Sequence, residues 1–103
     1  MKLVFHPKFA QDVKKFASQY GGISANLEQR FRSEVSSSLS RIESSPESAG
    51  HFVDTGSRIV KEVRRRNLSS FPFFILYGIE SDLIVIGSLI PSASDPLTWL
   101  NRF

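Results

Sequence analysis

Three consecutive arginines, Arg64-Arg65-Arg66, are the densest concentration of chemistry-bearing side chains in the chain. With Arg58 and Lys61 they place five cations against one anion, Glu62, inside nine residues. The local excess surpasses the net charge of +3 carried by all 103 residues, so the remainder of the chain is close to neutral. Arginine is a planar, permanently charged fork that matches phosphate and carboxylate oxygens, and its high pKa makes it a poor general base. A cluster of this kind grips an anion. Moving protons near neutral pH needs another group, and the sequence has two histidines, His6 and His51. His6 precedes Pro7 and reads as a helix-start residue. His51 stands beside Gly50 on the approach to the basic segment and is the acid–base candidate.

Other chemistries are excluded or weak. The chain has no cysteine, so disulfides and thiolate metal sites are absent, and two histidines make no metal site by themselves. No cofactor is expected. The serines between Ser33 and Ser45 have no histidine or carboxylate spaced to activate one of them, and read as a helix face and its ending. Trp99 can stack on a base or pack the C-terminal segment, and Arg102 extends the positive charge or simply sits exposed at a terminus.

The elements that position these residues follow from apolar periodicity. Apolar residues make up 41% and charged residues 22%, the composition of a globular chain with one modest core. Residues 1–103 read as a single domain. No apolar run is long enough to cross a bilayer, and residues 1–16 lack the apolar stretch of a signal peptide, so the expected location is the cytoplasm. Leu3-Val4-Phe5 reads as a strand. Phe9, Val13, Phe16 and Tyr20 recur at helical spacing behind Pro7, with Asp12 on the surface, and Gly21-Gly22 stops the helix in the left-handed conformation open to glycine. Ser24 is the expected N-cap of a second helix, with Ile23 packing back on its first turn and Leu27, Phe31, Val35, Leu39 and Ile42 on the buried stripe. From residue 51 the pattern turns to strands. His51–Asp54 is short, Arg58–Leu68 alternates between two mixed faces, and 73–79 and 83–90 are nearly continuous apolar runs joined by Glu80-Ser81-Asp82. The predicted fold is α+β: an N-terminal strand, then an antiparallel helical hairpin packed on one face of a curled, mainly antiparallel sheet. The other face is expected to be open and lined by the basic strand.

This order of pieces resembles the RelE/ParE superfamily of bacterial toxins from type II toxin–antitoxin modules, along essentially the whole chain. The resemblance is carried by Val4-Phe5-His6-Pro7 with Asp12-Val13, Tyr20, Arg30-Phe31 and Pro46. It continues through Arg64-Arg65, Phe71-Pro72-Phe73, Ile75-Leu76-Tyr77 and Asp82 to Ile86, and closes on Asp95-Pro96-Leu97-Thr98-Trp99. The superfamily divides by target. RelE-like members cleave messenger RNA in the ribosomal A site, and ParE-like members poison DNA gyrase. Many members with this Phe-Pro signature carry a histidine and an arginine shortly before the Asp-Pro, where this chain has Pro91-Ser92-Ala93-Ser94.

The resemblance implies a growth-arresting toxin whose partners are a cognate antitoxin and either the ribosome with its mRNA or DNA gyrase. A degenerate member that binds only its antitoxin is the third alternative. For RNA cleavage it implies the arginines as phosphate contacts and leaves the proton-transfer groups unidentified; with His51 taken from its residue type, the catalytic candidates are Arg64, Arg65 and His51, with Arg58, Lys61, Arg66, Trp99 and Arg102 on the RNA. The same arginines can instead pair with an acidic antitoxin segment, which commonly covers the working surface in such modules.

Overall fold

The computed structural model describes residues 1–53 and 62–94, of which 51–53 are described in backbone only. Seven elements follow in order: β1 (Lys2–Phe5), α1 (Phe9–Gly21), α2 (Ala25–Ser44), β2 (His51–Val53), β3 (Glu62–Asn67), β4 (Phe73–Glu80) and β5 (Leu83–Pro91). They form one five-stranded sheet in the order β1-β5-β4-β3-β2. All pairings are antiparallel except that of β1, which lies parallel beside β5. This is the α+β arrangement that the sequence predicts, with the two apolar strands β4 and β5 at its centre.

The helices start and stop for local reasons. The Nδ1 atom of His6 accepts the N–H of Lys8 at 3.1 Å, which makes His6 the residue that turns the chain into α1. Pro7 lies two residues ahead of the helix, whose first residue is Phe9. At the other end Gly22 has φ −65°, so the helix ends without a left-handed residue. The Tyr20 carbonyl instead accepts from the N–H groups of both Ile23 and Ser24, and the Ser18 carbonyl from that of Gly22. Ser24 caps α2 as expected, its Oγ accepting from the N–H of Leu27 at 3.1 Å. Ile23, in contrast, is 76% exposed. A staple needs an apolar residue four positions into the helix, and that position is Glu28.

The α2 stripe of Phe31, Val35 and Ile42 is buried against α1 and the sheet, together with Phe9, Ala17, Phe73, Ile75, Tyr77, Ile84, Ile86 and Leu89. At its heart is an aromatic cluster. Phe31 lies 5.1 Å from Tyr20, 5.1 Å from Phe71 and 5.2 Å from Phe73, and Phe16 lies 4.8 Å from Phe73. The edge-on geometry of the Phe31–Phe71 and Phe31–Phe73 pairs is the one that ring quadrupoles favour. The Phe71-Pro72-Phe73 motif therefore fastens the entry of β4 to both helices.

Two features of the sheet depart from the sequence reading. Leu76 pairs with Ser88 while Tyr77 pairs with Ile86, so Gly87 is the extra residue of a bulge. Beside it the N–H of Leu89 donates to Asp12 Oδ2 at 3.3 Å. Asp12 is thus turned to the sheet and half-buried, because its spacing of three from Phe9 and four from Phe16 puts it at the border of the apolar face. The second departure is the face away from the helices. Val63, Phe74, Leu76 and Ile90 are buried there, at 1%, 1%, 0% and 4% exposure, so the middle of that face is not open. The continuous apolar runs of β4 and β5 require this, since alternate residues of a strand point to opposite faces.

Candidate functional site

The period of a strand divides the arginine triplet. Arg64 pairs with Tyr77 and Arg66 with Ile75, two core residues on the helix side, whereas Arg65 pairs with Leu76 and belongs to the opposite face. The triplet does not form one patch.

On the helix side, Arg64 and Arg66 hold the segment that joins α2 to β2. Arg64 Nη1 donates to the carbonyl of Gly50 at 3.0 Å while its Nε donates to Glu62 at 2.8 Å. Arg66 Nη1 donates to the carbonyl of Ala49. Between them the Tyr77 hydroxyl donates to the carbonyl of Pro46 at 2.6 Å. Three side chains from two adjacent strands thus answer three carbonyl groups that no regular structure would satisfy. Gly50, the last residue of this strap, lies close against the sheet: a Cβ there would fall 2.6 Å from the Tyr77 hydroxyl and 2.7 Å from the Arg65 carbonyl oxygen. Backbone cannot yield as a flexible side-chain end can. Gly50→Ala is expected to lower stability by about 1–3 kcal/mol, read by urea unfolding.

Burial raises the Tyr77 pKa above its ordinary value, with the nearby Arg64 and Arg66 charges opposing the shift and Glu62 adding to it. The protonated phenol is therefore the form the fold prefers. Its contribution is fully present below the unfolded pKa of about 10 and is lost as pH rises through the folded value. Stability should fall above about pH 10, and Tyr77→Phe should remove that component of the fall. The same variant should cost about 1–2 kcal/mol at neutral pH by leaving the Pro46 carbonyl unanswered.

Arg65 has different surroundings. Its guanidinium carbon lies 3.9 Å from the centre of the Phe74 ring, and its Nη2 donates to Asn67 Oδ1 at 3.1 Å. Among the described residues it makes no bond to a main-chain carbonyl and no ion pair. The register of β2 sets His51 directly opposite Arg65, and Phe52 opposite Arg64. Of the three catalytic candidates, the fold brings His51 and Arg65 to neighbouring positions and sends Arg64 to the other face. Arg58, Lys61, Trp99 and Arg102 lie outside the described residues, as does the Asp95-Pro96 motif. No group of three histidine, aspartate or glutamate side chains among the described residues is placed to hold a metal. None of the described helices is long and apolar enough to cross a membrane.

The sequence reading did not foresee the strap over Tyr77. The nearest signal to it was Gly50, a glycine directly ahead of a strand. The Phe74 platform for Arg65 was legible only once the β3–β4 register was known.

No protein-family model matches the chain, and no curated protein matches it either. Among solved structures it is similar to a chain of a chromosomal ParDE TA system from P. aeruginosa, with a TM-score of 0.59 and 19% sequence identity. The match covers 88% of this chain and 95% of that one. The chain therefore has the fold of a ParDE-system chain, the fold implied by its resemblance to the RelE/ParE superfamily.

Proposed function

We propose that this protein is the toxin of a type II toxin–antitoxin module, acting in the cytoplasm and held in check by a cognate antitoxin. The ParDE-like fold supports that class. Within it, the observation that favours ribosome-dependent mRNA cleavage is the register of His51 against Arg65. In that reaction the ribose 2′-oxygen attacks the adjacent phosphorus and loses its proton to a base, and the P–O5′ bond breaks to leave a 2′,3′-cyclic phosphate, the 5′-oxygen taking a proton from the conjugate acid of that base or from water. His51 is the group that can move protons near neutral pH, and Arg65 is the fork that stabilises the extra negative charge on the phosphorane. Arg64 and Arg66 then act indirectly, by fixing the strap that leads into β2. Lys61, Arg58, Trp99 and Arg102 are proposed to contact the RNA.

A second reading, non-nucleolytic poisoning of DNA gyrase, is favoured by a different observation. Two of the three arginines already donate to main-chain carbonyls, which leaves fewer guanidinium donors for a phosphorane. One experiment separates the two: induce the protein in a bacterial host and assay mRNA integrity and gyrase-dependent DNA breaks in parallel. The first reading expects growth arrest with cleaved mRNA and intact DNA. DNA breaks with intact mRNA would replace it with the second, and unimpeded growth would sink both and leave a protein that binds only its antitoxin.

A further inference from the structure

We infer that the outer face of α2 is a track for a phosphodiester backbone, a site separate from Arg65 and His51. A groove of about 620 Å³ runs between α2 and the β3–β4 turn. Arg30 and Arg41 stand towards its two ends, Ser33 and Ser37 between them, and Ser69 and Ser70 on the opposite wall. Spacings of three and four put 30, 33, 37 and 41 on one stripe of the helix. The groove continues past Arg41 into a hollow of about 280 Å³ that reaches Arg66, whose Nε is buried and has no hydrogen-bond partner.

Charge and lining identify the occupant. Arg30 and Arg41 are exposed and pair with no carboxylate among the described residues, whereas Arg32 pairs with Glu28 and Arg64 with Glu62. The one acid in the groove, Glu34, accepts the N–H of Ser70 at 2.6 Å and so braces the wall. Every residue lining the main groove is polar. A peptide that folds onto a surface gains its affinity from apolar burial, and nothing here provides it. Hydroxyls flanked by guanidinium groups suit phosphate oxygens instead. Ten residues of helix lie between the two arginines, a rise of about 16 Å, or roughly five steps of a stacked strand at about 3.4 Å each.

The inference shares a nucleic-acid partner with the proposed function, but its test needs neither ribosome nor growth arrest. Fluorescein-labelled 12-nucleotide RNA and DNA of one sequence are titrated with the purified full chain, with anisotropy read across a salt series. Both should bind, since the contacts are to the backbone; preference for RNA would assign the serines to the 2′-hydroxyl. Arg30→Ala and Arg41→Ala should each weaken binding about tenfold and flatten the salt slope by about 0.7. Glu34→Gln keeps the acceptor for Ser70 and removes the only negative charge, so it should tighten binding, a gain that misfolding cannot imitate. Binding unchanged in the double arginine variant would overturn the inference. So would polyglutamate that competes with equal affinity and the same dependence on Arg30 and Arg41. If the groove variants lose binding while growth arrest persists, the site stands apart from toxicity; if they bind normally and toxicity persists, only the groove is wrong.

Discussion

Phe31→Ala is expected to lower the stability of the chain by about 4 kcal/mol, the largest effect of any single truncation in the core. Phe31 is fully buried and touches the rings of Tyr20, Phe71 and Phe73 from the middle of α2. Removing it leaves a cavity where α1, α2 and the entry to β4 meet, and none of the three can close it without parting from the others. For a domain of this size the loss corresponds to a fall of about 15–30 °C in Tm. Urea unfolding should show a lower midpoint with an unchanged slope. Ile23→Ala provides the contrast. Its side chain is largely exposed, so the change should stay within about 0.5 kcal/mol. A small effect at Phe31, or a large one at Ile23, would contradict the packing described.

The second large effect is functional and rests on the division of the arginine triplet. Arg65→Ala should abolish growth arrest, corresponding to a loss of about 10²–10³ in rate if its fork stabilises the transition state. Its stability should change by only about 1–2 kcal/mol, because the half-buried guanidinium lies over the buried Phe74 ring and holds no main-chain carbonyl among the described residues. Arg64→Ala should do the reverse. It leaves the Gly50 carbonyl without its charged donor and lowers stability by about 1.5–3 kcal/mol, while the molecules that remain folded stay active. Arg65→Lys keeps the charge and loses the planar fork, and should recover only part of the activity. Induction titrated against growth, with thermal melts of each purified variant, separates the two roles. Equal effects at Arg64 and Arg65 would mean that the triplet works as one patch after all.

Much of this architecture was legible in the sequence because it is encoded locally. Phe9 to Tyr20 and Leu27 to Ile42 carry the helical period, Ser24 carries its cap, and the apolar runs of β4 and β5 announce the central hairpin. What escaped depends on distant partners. No residue of β1 specifies that it lies parallel beside β5, and the bulge beside which Asp12 meets the sheet is marked only by Gly87, a lone glycine in an apolar run. The Gly50, Ala49 and Pro46 carbonyls have no side-chain signature, so the role of Arg64 and Arg66 could not be read from their own segment. The split of the triplet, in contrast, was implicit in the alternation of Val63 and Arg65 against Glu62, Arg64 and Arg66. It acquired meaning when the register showed which alternate set meets the core. For the candidate site, the sequence supplied the residue types, and the strand register sets His51 opposite Arg65 with Arg64 on the other face.

The most direct measurement is the mapping of mRNA 5′ ends on purified, programmed ribosomes after addition of the wild-type chain, His51→Ala or Arg65→Ala. The account predicts new ends within the A-site codon for the wild type, and none for either variant at protein concentrations where both are folded. Uncut mRNA with the wild type, or cutting that survives in either variant, would contradict it.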